Sequence, residues 1–214
     1  MDFSILKVAA EGQSMPAMRL ALLPLILFLS SCSIFVRKPA APATHIGKFH
    51  IDKTALAALK PEQAKIVIDL SKQEMSLLDA AGTPAVWTQV SSGRSSSPTP
   101  TGEFKVLEML PTKFSNRYGK WVKADTREVV VWRIWEHQGP QPPGTVYEGH
   151  EMPHWLRITW PGVGIHKGSF RPGELSSKGC IRVPAEPQKA IWEHVQLGTQ
   201  VTISGHPTGF PDAP

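Results

Sequence analysis

From Lys65 onward the chain is cut into short β-prone runs by turns rich in Gly, Pro and Ser, and this pattern limits the possible folds more than any other feature. Lys65–Leu70 reads as a strand and Glu74–Asp79 as its hairpin partner, with Ala81-Gly82 supplying the next turn. Ala85–Ser91, Gly102–Met109, Val129–Trp135, Trp155–Trp160, Val163–His166 and Gln200–Ser204 read as further strands. Between them, Ser91–Thr101 is a Ser/Pro/Gly loop, residues 111–128 are polar and Gly-interrupted, and His137–Met152 is a Pro/Gly-rich candidate lid. One helix is expected over Pro184–Gln196, with Ala190, Ile191 and Val195 on one side, Glu186 near its start and Gly198 as its stop. Many short strands and one helix predict a mainly β sandwich.

The amino terminus reads as an address. Met18-Arg19 is followed by an apolar run from Leu20 to Leu29, too short for a stable membrane span, and then by Ser30-Ser31-Cys32. Residues 1–32 are therefore expected to be a signal region, and Leu29-Ser30-Ser31-Cys32 resembles a bacterial lipobox with Cys32 as the lipidated residue. An ordinary secretory signal with an incidental cysteine is the alternative. Ser33 stands where an inner-membrane retention aspartate is found in such proteins, which suggests the outer membrane. Residues 33–63 read as a tether, with a short helix possible around Thr54–Leu59; 64–204 read as the catalytic domain and 205–214 as a flexible tail.

The chain has 214 residues, and a domain of about 140–150 can bury an adequate core. Its 23 Lys+Arg against 18 Asp+Glu include no dense basic run and no nucleic-acid motif, so no nucleic-acid partner is indicated.

The chemistry centres on Cys180. With Cys32 acylated, Cys180 is a free thiol in an oxidising compartment, a liability unless it is used. It lies in Ser177-Lys178-Gly179-Cys180-Ile181-Arg182, surroundings that do not describe a core position. A cysteine attacks as the thiolate and needs a base or a cationic field. His166, upstream at the end of a predicted strand, is the candidate base, and a backbone carbonyl near Lys167 or Gly168 is the expected acceptor for its other ring nitrogen. Lys178 is expected to favour the thiolate by its charge. The amides of Gly179 and Cys180 are candidate oxyanion donors. Arg182 suits a substrate carboxylate or a bracing role, and Ser177, Gly168 and Trp155 are grouped with it as substrate-binding candidates. Trp132, Trp135, Trp155 and Trp160 either line a groove or pack the core and lid.

These motifs resemble the YkuD family of L,D-transpeptidases, also called the ErfK/YbiS/YcfS/YnhG group. The family's signature is a histidine, a variable loop, then Ser/Thr-His-Gly-Cys, an apolar residue and Arg or Asn; here it reads Ile165-His166-Lys167-Gly168, a loop, then Ser177 to Arg182. Val67–Ser71, Val90–Gly93, Thr99–Phe104, Met152–Arg157 and Leu197–Val201 resemble further family segments, so the likeness spans roughly residues 64–204. Two features depart from the pattern: Lys178 replaces the usual histidine, and the loop between His166 and Ser177 is shorter than the commonest spacing. The resemblance implies a β-sandwich, a periplasmic or cell-wall setting, and a thioester on Cys180 formed from peptidoglycan stem peptides and resolved into cross-links, while the membrane anchor is expected from the lipobox alone. It implies no cofactor and no metal. An L,D-carboxypeptidase, a protein-to-wall anchoring enzyme and a lipid-anchored wall-binding module are the alternatives.

Two other motifs are weaker. His150-Glu151-Met152-Pro153-His154 matches H-E-x-x-H, which works only on a helix, and Pro153 would break one. A penicillin-binding-type S-x-x-K occurs only at Ser4–Lys7, outside the domain.

Overall fold

A computed structural model describes residues 47–207. The expected signal region, the lipobox with Cys32, the first part of the tether and the tail beyond Pro207 lie outside the described residues. No helix among the described residues is long and apolar enough to cross a membrane.

Two sheets carry the fold, which is mainly β as expected. The first is built on the meander β2 (Lys65–Asp69), β3 (Glu74–Leu78) and β4 (Pro84–Gln89), flanked by β1 (Phe49–Ile51), β11 (Gln200–Ser204) and β5 (Gly102–Lys105), in the order β1-β4-β3-β2-β11-β5. The second has the order β10-β9-β8-β6-β7: β6 is Glu108–Lys123, β7 Val129–Val131, β8 Thr145–Arg157, β9 Gly164–Lys167 and β10 Ile181–Val183. Strand alternation decides what is buried. Ile66 and Ile68 of β2, Met75 and Leu77 of β3, and Val201 and Ile203 of β11 belong to one core with Leu156, Ile165, Ile181 and Val183 of the second sheet. Each such side chain contributes about 1.5–3 kcal/mol on burial. Helix α2 (Ala185–Glu193) adds Ile191 to this core, and Glu186 in its first turn complements the helix dipole.

Four sequence expectations change. The first concerns the tether: its second half is folded. β1 pairs antiparallel with β4 through Phe49↔Thr88 and Ile51↔Val86, and α1 (Lys53–Ala58) is capped by Asp52, whose Oδ1 accepts from Thr54 N and Ala55 N. Leu59 is buried in the core. The domain therefore begins well before Ala64, because an edge strand and a capped helix need only a few apolar residues to dock.

Second, Gly102–Met109 is not one strand. Val106 N donates to Thr199 O on one side and Leu107 N to Arg157 O on the other, so the chain leaves the first sheet and enters the second at this point.

Third, the polar stretch 111–128 and most of the candidate lid are β-structure. β6 and β8 pair from Glu108↔Arg157 out to Lys123↔Thr145, with a register shift between Phe114 and Gly119. This β6–β8 arm, with β7 (Val129–Val131) on the other side of β6, is largely polar, and cross-strand pairs such as Lys120–Glu148 (2.6 Å) link its strands. Val129–Trp135 is strand only to Val131, after which Ile134–Glu136 form a 3-10 turn.

Fourth, α2 ends at Glu193, before Gln196. His194 closes it, with Nδ1 against Ala190 O, and Gly198 (φ +86°) serves the following turn.

Candidate active site

The register of β9 and β10 assembles the site. They pair in parallel with Ile165↔Ile181 and His166↔Arg182. Directly paired residues project to the same face, and both isoleucines are fully buried in the inter-sheet core. His166 and Arg182 therefore share the opposite face, with Cys180 immediately before β10. Cys180 Sγ lies 3.8 Å from the carbonyl oxygen of Gly162, to which the thiol donates. The turn carrying that carbonyl is held by Gly162 N to Thr159 O and by Val163 N to Thr159 Oγ1.

His166 is buried, and its Nδ1 lies 2.8 Å from Lys167 O. A carbonyl only accepts, so Nδ1 carries the proton and Nε2 keeps its lone pair. Burial pushes the imidazole pKa down to about 4; the Lys167 carbonyl opposes this and the Arg182 charge adds to it. Burial also pushes the Cys180 thiol up, against the downward pull of the Gly164 amide, Arg182 and Arg157. The resting pair is thus a neutral thiol and a neutral imidazole.

The loop carrying Cys180 is braced from below. Ser177 Oγ donates to Cys180 O (2.5 Å) and accepts from Gly179 N (3.1 Å). Gly179 has φ +106°, which a side chain would strain. Thr99 Oγ1 donates to Gly179 O (2.8 Å) and accepts from Gly93 N (2.9 Å). Gly93 itself must lack a side chain, since a Cβ there would sit 2.2 Å from Ser97 O. Gln73 secures the same bed through Ser92: Oε1 accepts from Ser92 N and Nε2 lies 2.8 Å from Ser92 Oγ.

Several residues have roles other than those expected. The Gly179 N–H is engaged by Ser177 Oγ, which leaves the Cys180 N–H as the oxyanion candidate. The charges that bear on the Cys180 sulfur are Arg182 and Arg157, and Lys178 faces two aromatic rings. Its Nζ sits 4.3 Å from the Tyr118 ring centroid and 4.6 Å from that of Trp135. Trp155 is only 1% exposed and packs behind His166, with ring centroids 6.0 Å apart, so burial keeps it from a substrate. Ser177, 2% exposed, braces the loop. Gly168 makes room for the Arg182 stem, which a Cβ would approach to 2.9 Å. Arg182 Nη1 donates to Ser176 Oγ (3.2 Å). Of the other tryptophans, Trp132 and Trp160 are exposed and Trp135 belongs to the Lys178 cluster.

Sequence reasoning missed Gln73, Glu108, Arg157 and Tyr118. Glu108 Oε1 accepts from Trp155 Nε1 (3.0 Å) and Arg157 Nε (3.1 Å), fixing the wall beside His166. No local signal marks these residues, since each acts on a partner distant in the chain. Thr99 was visible only as part of its Thr-Pro-x-Gly segment.

H-E-x-x-H lies on β8, so its two histidines lack helical spacing. His150 packs on Trp135 and His154 on Trp192. Among the described residues no group of three His, Cys, Asp or Glu could hold a metal ion.

Comparison with known proteins follows the same lines. An L,D-transpeptidase from Stackebrandtia nassauensis matches with a TM-score of 0.51 at 18% identity, over 71% of this chain and 60% of that one. An L,D-transpeptidase from Mycobacterium smegmatis has a TM-score of 0.48 and 17% identity, over 66% of this chain and 58% of its own. A mutant of the Enterococcus faecium L,D-transpeptidase has a TM-score of 0.45 and 24% identity, over 66% and 50%. The chain thus spans 60% or less of the length of each of these three. The first shares the mainly β fold. No curated protein sequence matches. The sequence profile of YkuD, the L,D-transpeptidase catalytic domain, matches residues 63–203, and the chain belongs to that family.

Proposed function

We propose that this protein is an L,D-transpeptidase that works through a thioester on Cys180. The observation carrying the proposal is the buried, neutral His166, whose Nδ1–H is engaged by the Lys167 carbonyl and whose Nε2 is left basic on the face that Cys180 borders. His166 Nε2 takes the thiol proton as sulfur attacks the carbonyl joining an L-centre to a terminal D-residue of a peptidoglycan stem peptide. The Cys180 N–H stabilises the oxyanion. The C–N bond then breaks, and the leaving amine carries off the proton held by His166. An acceptor amine attacks the thioester, gives its proton to His166, and displaces the sulfur, which regains a proton. Water in place of the amine gives hydrolysis. Arg182, largely buried, with Ser176 Oγ as its hydrogen-bond partner and Glu174 acting on it only through space, suits a substrate carboxylate.

Incubation of the soluble domain with disaccharide-tetrapeptides, read by mass spectrometry, tests this. Cross-linked dimers indicate transfer and tripeptides indicate hydrolysis. An unchanged substrate would overturn the enzymatic reading and favour a wall-binding module. The lipid anchor at Cys32 and an outer-membrane location belong to the same proposal. The intact mass of the mature protein tests the anchor: a diacylglyceryl-cysteine amino terminus supports it, and an unmodified cleavage product removes it.

A further inference from the structure

The replacement of the family's histidine by Lys178 has a structural counterpart in the β6–β8 arm. Two segments distant in sequence meet at the Lys178 ammonium, and a third backs one of them. The first is the irregular stretch of β6, where Ser115 Oγ accepts from Arg117 N (3.3 Å) and Tyr118 N (2.9 Å) and so turns Tyr118 toward the nucleophile loop. The second is the 3-10 turn Ile134–Glu136, which supplies Trp135. The third is β8, whose His150 ring stands 5.8 Å from Trp135. Tyr118 and Trp135 meet edge to face at 5.3 Å, and Lys178 Nζ lies within 4.6 Å of both ring centroids. Both distances fall well inside the range in which a ring face attracts a cation.

We propose that Lys178 is a positioning residue whose ammonium, held against Tyr118 and Trp135, latches the β6–β8 arm and the 3-10 turn onto the nucleophile loop and thereby sets the entrance to Cys180. The loop end of the latch is rigid: the Ser177 and Thr99 bonds hold the backbone on both sides of Lys178. The arm end has little apolar burial of its own, since Arg117, Trp132 and Arg133 are exposed. A cation between two rings ties a wet arm to a fixed loop without closing it by a dry core. A neutral imidazole in the same place would carry no full charge to hold the rings. Removal from water lowers the ammonium pKa, Arg94, Arg117 and Arg133 add to this, and Glu136 opposes it. The latch is thus made in the presence of like charges, which the rings tolerate and a carboxylate partner would neutralise.

The role rests on the Cys180 active-site reading, but its test does not need turnover. Hydrogen exchange by mass spectrometry on the full chain compares wild type with Lys178→Met, Lys178→Arg, Tyr118→Leu and Trp135→Leu. The expected result is that Lys178→Met speeds exchange at residues 115–118 and 134–137 by about 10-fold, the change in opening expected from losing two cation–π contacts. β2 and β11 stay protected. Lys178→Arg, which keeps a cation over the rings, stays close to wild type. Tyr118→Leu and Trp135→Leu reproduce the loosening from the other end, and keep the test decisive should the Met variant be poorly folded. With a tetrapeptide substrate, the same variants raise KM more than they lower kcat. Unchanged exchange in both segments for Lys178→Met and the two ring variants, or equal loosening by Arg and Met, would overturn the latch.

Discussion

His166 and Arg182 stand directly opposite one another in the parallel pair β9–β10. The register puts a guanidinium beside the imidazole, and with burial it holds that imidazole neutral. The same guanidinium favours ionisation of the Cys180 sulfur. One cross-strand pair therefore acts on both groups: burial and the guanidinium keep the imidazole unprotonated at rest, and the guanidinium offsets part of the burial that raises the thiol.

Replacing the sulfur should end the chemistry. Cys180→Ala removes the nucleophile while changing little of the loop, whose hydrogen bonds run through Ser177 Oγ and backbone atoms. Both cross-linked and hydrolysed products are expected to disappear from the tetrapeptide assay, with the melting temperature near wild type. Turnover persisting in the alanine variant would refute the assigned nucleophile.

The acid limb of activity should lie low. The proposed mechanism requires His166 Nε2 unprotonated, and burial holds the imidazole pKa at about 4. The rate with tetrapeptide is expected to stay level from neutrality down past the ordinary histidine range and to fall only near that value. A midpoint at about 6.5, the ordinary histidine value, would contradict a buried neutral base.

Folding stability should follow the same group. Between about pH 4 and the ordinary histidine value of 6.5, the unfolded chain binds a proton on this ring that the folded chain does not. Stability therefore rises with pH through that window and is lost as the pH falls, by about 3 kcal/mol in total. Urea unfolding at pH 7 and at pH 4.5 should show this loss in wild type and much less of it in His166→Gln. An equal loss in both would place the acid sensitivity elsewhere.

Thr99→Val should strike the nucleophile loop from beneath. It leaves the Gly93 N–H and the Gly179 carbonyl without the hydroxyl that joins them. Each unpaired buried group costs about 1–3 kcal/mol, so a loss of about 2–6 kcal/mol is expected in denaturant unfolding. Activity should fall further than stability explains, because Gly179 adjoins the nucleophile. Thr99→Ser, which keeps the hydroxyl, should recover most of both.

A domain cut to begin at Ala64 should be weaker than one beginning at Gly47. The shorter chain loses the β1–β4 pairing and the buried Leu59. Burying one such side chain contributes about 1.5–3 kcal/mol, and a loss of at least this size is expected in the unfolding midpoint. Equal midpoints would return residues 47–63 to the status of a tether.

Much of the fold was legible where neighbours along the chain carry the information. The alternation in Lys65–Leu70 and Glu74–Asp79 marks β2 and β3, and the glycine, serine and cysteine of the 177–180 turn mark a site. Legibility failed where a residue's role depends on a remote partner. The β6–β8 arm is polar, so hydrophobic period says nothing of it; it is strand because each side supplies the other's hydrogen bonds. Trp155 reads in sequence as either a groove or a core residue, and it is buried, with Glu108 meeting its indole nitrogen and His166 packed against its ring.

The amino-acid order alone marked most of the short strands, the resemblance to the family, and Cys180 and His166 as candidates, since each is carried by residue types and local motifs. Only the tertiary structure decided that His166 is neutral, that Lys178 turns to Tyr118 and Trp135, and that residues 49–63 belong to the domain. Those outcomes depend on burial and on distances across sheets, and neither is a property of any stretch of chain taken by itself.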